Sequence, residues 1–130
     1  MKKVILAAFL LSLFGTGAEL LLLEHTQDWW QLVPVLLIGL GLIAVAWFGL
    51  SQSNLSKQVF RALMLFFLIS GILGFALHYK GNMEFELEMY PAMKGGKLIW
   101  ETLKGATPVL APGTMMATGL IGWAYTLRQK

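Results

Sequence analysis

The sequence predicts an all-α integral membrane protein: a bundle of four antiparallel transmembrane helices, with a small outer segment between the third and fourth helix. The 130 residues are 57% hydrophobic and only 13% charged, whereas soluble domains carry about 25% charged residues. Four apolar runs, at residues 4–23, 32–50, 59–79 and 107–127, are each long enough to cross a hydrocarbon core about 30 Å thick. We therefore expect a single membrane domain.

The first predicted span, residues 4–23, contains Glu19 as its only ionisable residue. A carboxylate inside a membrane helix is costly and is therefore a candidate functional group. Glu19 reaches the headgroups or pairs inside the bundle, binds protons or cations in a small multimeric transporter or channel, or contacts a partner subunit. The start of the chain also resembles a secretory signal, but the apolar run continues as LLLL beyond the possible cleavage site, which predicts a retained span.

Two histidines stand at the ends of spans. His25 follows the first span and His78 ends the third, so both are expected at the same side of the membrane and at similar depth. Imidazole is a frequent haem and metal ligand. The pair therefore raises the alternative of a redox subunit that binds haem b through His25 and His78. A further alternative is a metal ion held by this pair with Glu24, Asp28 or Glu19. The main interpretation expects neither a metal nor a cofactor.

Small residues at helical spacing form one face on each of three spans: Ala8, Ser12 and Gly15 on the first, Gly71 and Gly74 on the third, and Thr114, Thr118, Gly122 and Thr126 on the fourth. In lipid, helices associate through close packing of such residues rather than through apolar burial. The three faces predict a compact antiparallel bundle, and the alternative is that one of them contacts a second protein. The start of the fourth span stays open, because Pro108 suits the first turn of a helix, whereas Pro112, one turn later, requires a kink or a later start.

The outer segment, residues 80–106, is predicted to hold a short strand and a short helix. In EFELEM, Glu84, Glu86 and Glu88 alternate with apolar residues, as in a strand with one wet face. Such a strand rests its apolar side on the membrane or on the helix ends, or it pairs with another chain and its glutamates select a basic partner, or its glutamates bind cations. Residues 96–104 are expected to form a helix on the membrane surface with Trp100 inserted; the alternative pairs them with the strand as a hairpin.

The charged residues are sorted by membrane side. One side has six basic residues and no acid: Lys2, Lys3, Lys57, Arg61, Arg128 and Lys130. All seven acids fall on the other side. Because Lys and Arg stay in the cytoplasm, both termini are expected to be cytoplasmic, in a bacterial cytoplasmic (inner) membrane. The formal charge of +3 therefore reflects topology, and no nucleic acid partner is expected.

No motif of a familiar enzyme is present. The chain has no cysteine and lacks a Walker loop, GxSxG, HExxH and a Rossmann fingerprint. The sequence thus predicts a small non-catalytic membrane subunit of a larger complex or a homo-oligomer. Its partners are the lipid bilayer and other membrane subunits or further copies of itself. The predicted contact residues are Glu84, Glu86, Glu88 and Trp100 in the outer segment.

Overall fold

The computed structural model describes residues 1–127. Five α-helices follow one another along these residues: α1 (Lys2–Leu22), α2 (Trp29–Ser51), α3 (Asn54–Met89), α4 (Gly95–Lys104) and α5 (Gly113–Leu127). The all-α class is confirmed. Arg128 and Lys130, which the charge count used, lie outside the described residues.

Three of these helices, α1, α2 and α3, are long and apolar enough to cross a membrane. Their middle turns leave large apolar side chains uncovered, among them Phe14, Leu40 and Phe66, which are 60%, 49% and 56% exposed. Soluble monomers rarely expose continuous apolar surface of this extent. The chain is accordingly described as a membrane protein whose exposed helix faces meet lipid.

The prediction of four transmembrane helices is wrong, because the fourth predicted span does not form one long helix. Within residues 107–127 the helix begins only at Gly113, directly after Pro112, which decides between the two starts that the sequence left open. The 15 residues of α5 measure about 22 Å by the helical rise. That length is short of a 30 Å hydrocarbon core.

The predicted strand is also wrong: residues 1–127 contain no strand. Glu84, Glu86 and Glu88 belong instead to the last turns of α3, which continues without a break to Met89. Glu, Leu and Met are strong helix formers, and Lys80 lies 3.6 Å from Glu84 at the i,i+4 spacing that stabilises helices. At 36 residues, α3 is about 54 Å long, much longer than a membrane crossing requires.

The core is shared by α1, α2, α3 and α5. α3 contacts α2, α4 and α5, while α1 contacts α2 and α5. Five side chains are completely buried at its centre: Phe9, Leu13, Phe60, Met64 and Phe67. The rings of Phe9 and Phe60 meet edge to face at 5.4 Å, which joins α1 to α3. The first and last of the five helices, α1 and α5, also pack against each other.

Close approach of α3 and α5 depends on glycine, as the small-residue pattern predicted. A Cβ added at Gly71 would lie 2.8 Å from the carbonyl oxygen of Pro112, and one added at Gly119 would lie 2.8 Å from that of Met64. These distances are too short for any side chain. The two helices therefore pack backbone against backbone, and α5 runs antiparallel to α3.

Candidate functional site at the acidic end

One end of the molecule, here called the acidic end, holds the α1–α2 connection, the last turns of α3, the helix α4 and the chain that leads into α5. Every acid of the chain lies here, together with both histidines. The opposite end, here called the basic end, holds Lys2, Lys3, Lys57 and Arg61. Candidate chemistry is therefore concentrated at the acidic end.

His25 is brought over the acidic end by the way α1 stops. The backbone N–H of His25 donates to the carbonyl of Leu20, and that of Glu24 donates to the carbonyl of Leu21. This pair of bonds is the Schellman arrangement, which requires a left-handed residue just after the helix. Glu24 takes that conformation with φ 52°, a costly choice for a residue other than glycine. The turn directs His25 away from the line of α1.

His78, on α3, meets His25. The centroids of the two imidazole rings are 6.3 Å apart, and the rings are inclined at 66°, edge to face. Nδ1 of His78 lies 2.9 Å from the carbonyl oxygen of Pro108. Since a carbonyl only accepts, Nδ1 carries a proton and donates, so in the neutral imidazole the lone pair of His78 is on Nε2. The sequence placed the two histidines at similar depth, and the structure brings them together.

Burial lowers the pKa of His25 below its ordinary value of 6.5. The nearby His78 lowers this pKa further, while the carboxylate of Asp28 raises it in part. Desolvation acts in this direction because it disfavours the charged imidazolium. His25 is therefore neutral at neutral pH, the form in which imidazole binds metal ions.

Asn82 holds the chain between α4 and α5 against α3. Its side chain is buried, and its amide nitrogen donates to the carbonyls of Thr102 at 3.0 Å and of Thr107 at 2.7 Å. Its carbonyl oxygen accepts from the backbone N–H of Thr107 at 3.1 Å. Gly105 lies so close that an added Cβ would be 2.6 Å from the amide nitrogen of Asn82. Both polar atoms of the Asn82 side chain thus form hydrogen bonds to the segment around the end of α4 and the start of the connection to α5. Sequence reasoning missed it, since a lone asparagine after a span carries no pattern.

α4 folds back along the last turns of α3 to form a helical hairpin, here called the α3–α4 hairpin. The end of α4 lies at Asn82, whereas Tyr90 and Lys94, on either side of the turn that joins the helices, line a shared groove near the start of α4. The two helices are therefore antiparallel. A helix at residues 96–104 is confirmed as α4, so the alternative hairpin of two strands is wrong, whereas the position of this helix on the membrane surface stays a prediction.

The three predicted contact glutamates do not form one row. At 100° per residue, Glu84 and Glu88 lie about 40° apart, while Glu86 lies about 200° from Glu84. Glu84 and Glu88 are exposed, whereas Glu86 is half-buried and lines the groove of the hairpin with Lys97 and Glu101. The row of carboxylates that was predicted to select a basic partner does not exist.

The outward face of α4 is apolar. Ile99, Trp100 and Leu103 lie next to one another on it and are 51%, 61% and 38% exposed, while Thr102 on the opposite face is completely buried. The Nζ of Lys104 lies 5.8 Å from the ring centroid of Trp100. Residues 1–127 leave this face largely uncovered.

Glu19 lies on the exposed surface of α1. The buried side of the same helix is formed by Phe9, Leu13 and Thr16, and nearby Gly15 has no atom of another element within 4 Å of an added Cβ. Glu19 therefore does not line the interior of a single copy. A role in transport would require a second chain against this surface.

Among residues 1–127, no group of three or more His, Asp and Glu side chains is arranged to hold a metal ion. The histidine pair is thus the closest approach to a ligand set. Comparison with family models, with curated proteins and with solved structures gives no match.

Proposed function

We propose that this chain is a small, non-catalytic integral membrane subunit of a larger complex or a homo-oligomer, and that the α3–α4 hairpin is its contact surface. The exposed apolar face of α4, formed by Ile99, Trp100 and Leu103, carries the proposal. Exposed aromatic residues flanked by polar groups are typical of protein interfaces, where tryptophan contributes strongly to binding.

The direction of the hairpin favours a protein partner over the bilayer for this face. Because α4 is antiparallel to the last turns of α3, it runs along the axis of that helix. A helix that inserts into the headgroup layer lies flat in the membrane plane instead. Since α3 is about 24 Å longer than a hydrocarbon core, its last turns have the length to carry α4 into the water.

Rigidity also supports a contact role. Asn82 and Gly105 lock the end of the hairpin through buried hydrogen bonds and close packing, and the ion pair between Lys104 and Glu101, at 2.8 Å, lies on α4 itself. A surface that is already ordered loses little conformational entropy when a partner binds.

We further propose a bacterial cytoplasmic membrane with the basic end in the cytoplasm. The sorting of Lys2, Lys3, Lys57 and Arg61 away from all seven acids supports this orientation, because basic residues near span ends are retained in the cytoplasm. The hairpin would then project on the outer side.

The proposal is tested by gentle detergent extraction followed by native mass spectrometry. The wild type is expected as an assembly, with another subunit or with further copies of itself. Replacing both Trp100 and Leu103 by alanine should reduce the assembled fraction at least tenfold, because truncation of a buried aromatic anchor commonly costs 2 kcal/mol or more. Leu50→Ala is the matched control, since Leu50 is 89% exposed at the other end of the molecule. A wild-type monomer without partner would refute the proposal.

A further inference from the structure

His25 and His78 come from separate parts of the chain and have no assigned role in the proposed contact surface. Their ring centroids are 6.3 Å apart. Two imidazoles that each bind one tetrahedral ion through one nitrogen, at about 2.0–2.1 Å, have centroids roughly 5 Å apart. The two rings are about 1 Å wider apart than that, so a small rotation of one side chain brings both to a shared ion.

The second feature is the fixed tautomer of His78. Its Nδ1 donates to the carbonyl of Pro108 at 2.9 Å, so the ligand nitrogen is Nε2. A hydrogen bond from the other ring nitrogen to a backbone carbonyl is the usual support of a metal-binding histidine, because it orients the ring and raises its basicity. The left-handed turn at Glu24, with φ 52°, places His25 at the acidic end beside this ring.

We propose that His25 and His78 together bind one divalent transition-metal ion of the kind that prefers imidazole, represented here by Zn²⁺. Imidazole nitrogen is a ligand for zinc, copper and nickel, whereas magnesium and calcium prefer oxygen. The two histidines leave further coordination positions open to water. The ion would join the α1–α2 connection to α3 at the acidic end.

A single ion needs only the two nitrogens, whereas haem b held between the two rings is the alternative occupant. The two ligands are chemically distinguishable: haem gives an intense visible spectrum and Zn²⁺ gives none.

The test is a Zn²⁺ titration by calorimetry of the full-length protein, purified in detergent through a tag that contains no histidine. The chain has two histidines, so the variants remove all imidazole in two steps. The wild type should bind one Zn²⁺ per chain, and both His25→Gln and His78→Asn should weaken binding at least tenfold. His78→Asn is informative because the asparagine amide can still donate to Pro108, so the fold keeps its hydrogen bond while Nε2 is lost.

Thr26→Ser is the matched control, because Thr26 is exposed beside His25, and it should bind like the wild type. Zinc should also raise the melting temperature of the wild type and of the control, but not of either histidine variant. Equal zinc binding by the wild type and both histidine variants would overturn the proposal. A visible haem band in the purified wild type, lost in the variants, would overturn it in favour of haem.

Discussion

Replacing Asn82 by alanine should release the chain between α4 and α5. The substitution removes three hydrogen bonds of 2.7 to 3.1 Å from a buried site. At a net value of about 0.5–1.5 kcal/mol each, which already includes the exchange of bonds with water, the loss is about 1.5–4.5 kcal/mol. Local opening should become about 10 to 1500 times more frequent, because every 1.4 kcal/mol is a factor of ten.

Hydrogen exchange measured by mass spectrometry gives the result directly. In Asn82→Ala, the amides of residues 98–107 should exchange faster by that factor, while those of α1 and α2 should not change. Gly81→Ala is the matched control, because Gly81 is exposed in the same turn and an added Cβ meets no atom within 4 Å. Unchanged exchange in residues 98–107, or an equal increase in both variants, would refute the argument.

The other predictions follow from the same contacts. Gly105→Ala should destabilise the hairpin by about 1–3 kcal/mol, because the added methyl group overpacks against Asn82. The destabilisation should be smaller when Asn82 is already alanine. If the two effects on the exchange rates were fully additive, the proposed contact between Gly105 and Asn82 would be wrong. Gly122→Ala should lower the melting temperature, because its Cβ would lie 2.7 Å from the ring of Phe9, while Gly39→Ala, with free space, should not. The pKa of His25 is lowered in the fold, so the unfolded chain binds a proton on this imidazole more readily than the folded chain does. Its contribution to the free energy of unfolding is therefore complete above about pH 6.5 and is lost as the pH falls through the pKa of the folded state. The melting temperature should be lower at about pH 5 than at about pH 7.5, and the part of this difference that is due to His25 should vanish in His25→Gln.

The three long helices follow from hydropathy alone. The predicted spans at 4–23 and 32–50 agree closely with α1 and α2, because a long apolar run in lipid must satisfy its backbone internally and therefore forms a helix. α4 was predicted from its 3.6-residue repeat, which places apolar side chains on one outward face. These features depend on local sequence, and local sequence was sufficient.

The strand prediction was wrong because it relied on the alternation of polar and apolar residues, whereas the secondary-structure propensities of these residues do not favour a strand. EFELEM has Glu, Leu and Met, which are strong helix formers, and it has no β-branched residue. Lys80 and Glu84, at helical spacing, were the available signal. In a continuing helix the same alternation distributes Glu84 and Glu86 to opposite sides.

The fourth span failed for a different reason. Residues 107–127 are apolar throughout, but Pro108 and Pro112 interrupt the backbone. The chain there makes successive tight turns, with the N–H of Ala111 donating to Pro108 and that of Met115 donating to Pro112. Buried Val109 anchors these turns. Mean hydropathy is calculated over the whole segment, so it does not indicate at which residue the helix begins.

The contact between the two histidines and the role of Asn82 could not be predicted without the tertiary structure. Similar depth on different helices was deducible, but contact depends on the left-handed turn at Glu24. Asn82 bonds only to backbone groups. Backbone partners exist in any sequence, so they leave no pattern to recognise.

The polar side chains at the acidic end differ in how many of their hydrogen-bonding atoms remain free for a ligand. Asn82 uses its carbonyl and both N–H groups on the chain that returns from α4, so it has no capacity for a ligand. His78 uses only Nδ1, on Pro108, and the same bond leaves Nε2 available beside His25. Because Asn82 holds Thr107, the residue before that proline, the structural lock also positions the carbonyl that orients His78. The lock therefore positions His78 without being part of the histidine pair that we propose as the ligand set.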